Sequence, residues 1–372
     1  MIIFNFAMTS NNKVGIILDD DFSSKNVPPY PYPMFLSYET PLRIKAVIGY
    51  LEKNRIFDDE RIIKLKPLPI EEEIIYLAHT KYHVDSIKAL SSRGNGLLGE
   101  EVYVTEDTFE LAKKAIGGAV SAVTSVINQK VNQSIALIRP PGHHALRETA
   151  SGLCIFNNIA NSILYLREKL QYNKKIAIID IDAHFGDGLV QYFYDDPTIL
   201  YFSIHEFDFV EGEIGFIDEL GAGDGLGKSI NFPIPLNSTD DDYLEFFDIL
   251  EPILREFMPD LIIVAAGFDM YFADPIGNCL LTTISYYKFT EKLLKIAEGI
   301  CEGKLTFILE GGYSLLGLPV CIHSVIQSLL KEKYKRPSFE YLDFSHNSKK
   351  NEILKIKSTL KNLLANFWTS IQ

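Results

Sequence analysis

The sequence predicts an α/β fold of three layers, a parallel sheet with helices on both faces, formed as one domain over residues 1–372. Three observations carry that prediction. From about residue 106, amphipathic stretches of helical periodicity alternate with short runs rich in β-branched residues. Those runs are apolar throughout, the pattern of strands covered on both sides. No Gly/Ser linker or internal repeat breaks the alternation, which outweighs the expectation from length of roughly one domain per 150 residues.

The elements follow in order. Residues 106–128 are Ala-rich and amphipathic, a helix, and "SIALI" (134–138) is a strand. Apolar residues recur at helical spacing over 157–170, and "KIAIID" (175–180) is the next strand. A short helix over 188–194 leads to the strand "TILYFSI" (198–204), and "SINFPI" (229–234) is another. Residues 238–240 offer an N-cap for a helix over 243–257, followed by the strand "DLIIVAA" (260–266). A helix over 285–298 and the strand "LTFILE" (305–310) close the series. Residues 1–93 are expected to add outer helices and loops. The polar segment 331–350 is expected to run over the surface before a last helix at 348–366.

Composition narrows the function. With 47% hydrophobic and 23% charged residues the chain can bury a core, so disorder is excluded as a description of the whole. A formal net charge of −13 argues against a general nucleic-acid-binding surface and mildly favours cationic substrates, although solubility is the stronger explanation of it. Cys154, Cys279, Cys301 and Cys321 show no CxxC spacing, which suits a reducing compartment and no disulfide framework. The segment "MIIFNFAMTSNN" lacks a basic leader pattern, and no run of about 18 apolar residues occurs. The expected location is cytoplasmic, without a membrane.

Ligands of open parallel sheets bind outside the carboxyl ends of the strands. Five strands here end in polar clusters: "RPPGHHA", "DIDAHFGDG", "SIHE", "GFD" and "EGGY". Asp182 and His184 lie two apart in an extended segment and so point to one side. With Asp269 they make a carboxylate and imidazole set that suits a divalent ion with open positions. A single Asp at a strand end more often caps a helix, but the cluster favours metal, which also answers the cost of burying unpaired carboxylates. His143 and His144 stand together after a rigid turn, with Asp180 and Asp187 available to orient their rings. Tyr313 follows two glycines and is placed to donate from its hydroxyl, or simply to pack.

"RPPGHHA", "SGLCIFNN", "DIDAHFGDG", "AGFD" with "DP" soon after, and "LEGGY", in this order, resemble the zinc-dependent histone deacetylase superfamily. That superfamily includes acetylpolyamine amidohydrolases and shares the arginase-like fold; the likeness runs from about Pro41 to His323. The resemblance implies a sheet of about eight strands and makes Asp182, His184 and Asp269 the ligands of one zinc. It implies His143 paired with Asp180, His144 with Asp187 and acting as general base, and Tyr313 donating to the substrate carbonyl. Asp180, Ser203 and Ile204 would hold a structural monovalent cation, usually potassium. Arginase-type chemistry would need a second metal, with carboxylates where this chain has Gly186 and Tyr271.

The substrate implied is acetyl-lysine of a protein or peptide, with longer acyl groups a further option and an acetylated polyamine or other small acetylamine the alternative. Gly152, Leu153, Phe209, Ile276 and Gly311 would line its site, and Glu101 would grip a peptide backbone. Leu153 stands where the family usually has Phe, giving an aliphatic wall, and Phe209 is the expected opposite wall. Ile276, directly after "DP", takes the place of an acidic gatekeeper found in one polyamine-specific branch.

Overall fold

The computed structural model describes residues 12–28, 38–98, 102–212 and 214–371. Its elements begin with β1 (Val14–Ile17), α1 (Pro41–Lys53), β2 (Ile62–Leu65), α2 (Glu72–Ile75) and α3 (Lys81–Ser92). A hairpin of β3 (Asn95–Leu98) and β4 (Val102–Thr105) precedes α4 (Thr108–Ile127), β5 (Gln133–Ala136), α5 (Asn158–Leu170) and β6 (Ile176–Asp180). Next come α6 (Asp187–Gln191), β7 (Ile199–Phe207), β8 (Ser229–Pro235), α7 (Asp240–Tyr243), α8 (Phe247–Phe257) and β9 (Leu261–Ala266). The chain closes with α9 (Thr283–Ile300), β10 (Leu305–Leu309), α10 (Gly317–Leu329) and α11 (Lys350–Leu364).

Eight strands pair in parallel in the order β2-β1-β5-β10-β9-β6-β7-β8. Every residue of β5 to β10 is buried, as strands covered on both faces must be. Helix α4 packs on α5 and lies across β1, β5 and β10, while α9 packs on α8 and α10, and α10 on α1. Among the described residues, no helix is long and apolar enough to cross a membrane.

Local chemistry explains the boundaries. The Asn157 side chain accepts the Ala160 amide at 3.0 Å and starts α5. Thr239 and Asp242 form a capping box, so the helical segment expected over 243–257 begins earlier, at Asp240. Residues 1–93 also depart from expectation: besides outer helices they supply β1 and β2, half of one flank of the sheet. Both strands have four residues, too few to display a period of two. Helix α10 goes unpredicted as well; its Pro319 sits in the first turn, where a missing amide proton breaks no helical bond.

One buried ion cluster ties the amino-terminal region to the sheet. Arg139, leaving β5, donates from Nε and Nη2 to the two Glu39 oxygens at 2.8 Å each, and both residues are essentially inaccessible. Burial would raise the Glu39 pKa, but Arg139 first and then Arg43 outweigh it and hold the carboxyl below its usual range. Its contribution to stability is therefore complete above an unfolded value of about 4.3 and is lost as pH falls through the lower folded value. Arg139→Met, which leaves the buried Glu39 carboxylate only its longer 3.5 Å pairing with Arg43, is expected to cost about 3 kcal/mol in urea unfolding at pH 7. A loss below about 1 kcal/mol would show the pair to be energetically idle.

Candidate active site

The sheet order makes β5, β10, β9 and β6 consecutive neighbours, so the segments leaving their carboxyl ends meet in one crevice. Asp182 and His184 follow β6, and Asp269 follows β9. Their ligating atoms all lie within 4.8 Å of one another. Asp182 is fixed by two backbone donors: the Gly311 amide reaches Oδ2 at 2.8 Å and the His184 amide reaches Oδ1 at 3.0 Å. Asp269 Oδ1 accepts the Ala183 amide at 2.8 Å. His184, at the outer side, is 43% exposed, and its Nδ1 lies 3.1 Å from Asp182 Oδ1 and 3.4 Å from Asp269 Oδ2.

These residues fit a divalent ion. Asp269 Oδ2 is fully buried yet makes no hydrogen bond, an arrangement costly unless a cation shares the space. A Cβ at Gly311 would fall 2.2 Å from that oxygen and 2.5 Å from Asp182 Oδ2, so the glycine keeps the cradle open. Burial and the Asp182 charge push the Asp269 pKa up; Asp182 itself is held low, because His143 and His184 outweigh its burial. A second ion finds no support at Gly186: a Cβ there would lie 2.5 Å from Asp180 Oδ2 and 2.8 Å from the Tyr201 hydroxyl. Tyr271 is buried and offers no carboxylate.

The paired histidines lie beside this cluster, with ring centroids 4.0 Å apart. His143 Nδ1 meets Asp180 Oδ2 at 3.3 Å, and His144 Nδ1 meets Asp187 Oδ1 at 2.7 Å. Burial would lower the His143 pKa, but Asp182 and Asp180 push it up to about 10. Burial and the His143 charge hold His144 below the usual imidazole value, favouring the neutral ring that can accept a proton. Glu310, after β10, fixes the turn carrying both rings: its Oε2 accepts the Gly142 amide at 2.6 Å and the His143 amide at 3.1 Å. Burial pushes its pKa up to about 7.

Tyr313 is held from two sides. The Arg43 guanidinium of α1 lies 4.6 Å from its ring centroid and donates to the Gly312 and Glu310 carbonyls at 2.7 and 2.5 Å. On the other side the ring packs with Leu153, Ile276 and Tyr38 in a small apolar cluster separate from the main core. Gly152, at φ +50°, backs onto the His144 ring, where a Cβ would come within 2.3 Å of Cδ2.

Other expected residues are placed elsewhere. Phe209 is 55% exposed and its ring lies tilted at 53° against Phe207 with centroids 4.8 Å apart; it borders an apolar groove of about 570 Å³ beside α11 and is not in the cluster around Tyr313. Glu101 lies outside the described residues. Asp180 and Ser203 are register partners on β6 and β7, next to Ile204, but Ser203 Oγ meets His205 Nδ1 at 2.9 Å and Asp180 Oδ2 accepts the Tyr201 hydroxyl at 3.0 Å. Sequence reasoning missed Tyr38, Arg43, Asp274 and Glu310. Only Asp274 and Glu310 carried a signal, since they stand inside the quoted "DP" and "LEGGY" strings.

Comparisons with known proteins agree with this architecture. The model of the histone deacetylase domain matches residues 37–329. A probable deacetylase of Archaeoglobus fulgidus is 36% identical over 276 residues, 74% of this chain and 76% of that protein. Histone deacetylase 5 of Arabidopsis thaliana is 34% identical over 86% of this chain and 49% of its own length. Polyamine deacetylase HDAC10 of Danio rerio is 33% identical over 83% and 46%. This chain thus spans about half the length of the last two. The crystal structure of the HDA15 HD domain superposes with a TM-score of 0.82, covering 97% of both chains at 28% identity. With the family's domain matched over residues 37–329 and the fold of the HDA15 domain reproduced, the chain belongs to the histone deacetylase family and is a deacetylase of the hydrolase class.

Proposed function

We propose that this chain, acting as one catalytic domain, hydrolyses the acetamide of ε-N-acetyl-lysine in proteins or peptides with one zinc ion held by Asp182, His184 and Asp269. The observation that carries the reading is the convergence of those three ligands, the His144–Asp187 pair and Tyr313 at one sheet edge. Such an ion, when bound, supplies Lewis acidity to the amide oxygen and a lowered pKa to water. His144, oriented by Asp187, accepts a proton as the water oxygen bonds to the carbonyl carbon. Tyr313 donates its hydroxyl to the oxygen on which negative charge develops. The C–N bond then breaks, a proton from the histidine pair goes to the lysine nitrogen, and acetate leaves. Asp180 orients His143, and with Ser203 and Ile204 we assign it a structural monovalent cation. The four free, buried cysteines suit a reducing interior such as the cytoplasm.

Leu153, Ile276 and Tyr38 give the acyl-lysine an apolar enclosure, which favours a neutral aliphatic stem over a charged polyamine. The formal net charge of −13 favours the second reading, an acetylated polyamine. The test is kcat/KM on acetyl-lysine peptides, N-acetylputrescine and longer acyl-lysines; a preference for N-acetylputrescine would reverse the order. Tyr313→Phe is expected to lower kcat on an acetyl-lysine peptide by about 10²–10³, the worth of one oxyanion donor. Unchanged turnover would remove Tyr313 from this role.

A further inference from the structure

The loop after β9 carries Asp269 and, five residues on, Asp274, whose half-buried carboxylate reaches across to the chain leaving β10. Its Oδ2 accepts two consecutive backbone amides, Tyr313 at 2.7 Å and Ser314 at 2.9 Å. Its Oδ1 accepts the Ile276 amide at 3.0 Å, and its own amide donates to the Tyr271 carbonyl at 2.8 Å. Residues 311–314 belong to neither β10 nor α10, and Gly312 at φ +104° turns the chain sharply there. Without the carboxylate, the amides of Tyr313 and Ser314 would lose those bonds, and the turn could pivot about the glycine.

We infer that Asp274 is a positioning residue for Tyr313, one carboxylate setting the phenol's place relative to the loop that holds Asp269 and to the Ile276 wall. The inference rests on the deacetylase reading of Tyr313. A pivot of about 10° at the turn would carry the hydroxyl about 1 Å, a misplacement that can cost up to ~10²-fold in rate. Arg43 grips the same turn through carbonyl oxygens and the ring face, leaving the amide side to Asp274.

A double-mutant cycle tests this. Wild type, Asp274→Asn, Tyr313→Phe and the double variant are compared for kcat and KM on an acetyl-lysine peptide, with thermal unfolding and bound zinc measured for each. Asp274→Asn is expected to fold, hold zinc and lose about 10–10²-fold in kcat, yet to lose no more than about 2-fold further when Tyr313 is already Phe, because it acts through that hydroxyl. Losses that multiply, a kcat within about 2-fold of wild type, or a variant that does not fold would each overturn the assignment; the last would make the carboxylate structural. Unchanged turnover in Tyr313→Phe alone would bring down the reading of Tyr313, and the inference with it.

Discussion

Asp269→Asn is expected to abolish turnover, by more than about 10³-fold, while the protein stays folded and its bound zinc falls. The amide substitution keeps an oxygen for the Ala183 amide now bound at 2.8 Å, so the backbone between β6 and α6 retains its anchor. What it removes is the charge of Oδ2, the one buried carboxylate oxygen of the cluster that makes no hydrogen bond. Several kcal/mol of barrier should follow, since a neutral amide is a poor ligand for a divalent ion and the Lewis acid goes with it. Chelation of the wild-type protein should give the same loss, and added zinc should restore the wild type fully but the variant only in part. Full turnover in protein shown to be metal-free would sink the zinc-dependent reading.

His144→Ala is expected to lower kcat by about 10²–10⁴ with bound zinc unchanged, the range of a lost general base. The ring stands 4.0 Å from that of His143 and is tethered by Nδ1 to Asp187 at 2.7 Å, which leaves Nε2 for the attacking water. Asp187→Asn should cost less than His144→Ala, because it disturbs the ring's orientation and tautomer without removing the acceptor. The reverse ranking, or an equal loss for His143→Ala with His144→Ala nearly silent, would reassign the base. Zinc content separates either outcome from a damaged metal centre.

Much of the site is legible residue by residue. Asp182 and His184, two apart just beyond β6, bring their ligating atoms together with that of Asp269, although the chain there bends instead of continuing as a strand, and Asp187 lies at the start of the next helix. The strands from β5 to β10 are apolar enough to be recognised one at a time. Tyr38 and Arg43 are not legible, because nothing local distinguishes a tyrosine or arginine that packs on a residue some 270 positions away. Phe209 shows what local sequence leaves open: a suitable aromatic follows β7, and the fold lays it tilted against Phe207 beside the groove next to α11. Asp274 stands inside the "DP" string, but its hold on the Tyr313 and Ser314 amides is not legible there, because those partners lie 39 and 40 residues further along.

The sequence by itself determined the class of fold, the residues able to ligate a metal, and the absence of carboxylates at positions 186 and 271 that a second metal would require. Tertiary structure alone decided that β5, β10, β9 and β6 are neighbours, although β10 comes last of the strands in the chain. Periodicity records which face of a segment is buried, whereas strand order depends on how helices of particular length and shape cover the sheet. That order brings His143, Asp182, Asp269 and Tyr313 to one crevice, and it lets Asp274 hold the backbone of a tyrosine on the segment that follows the neighbouring strand.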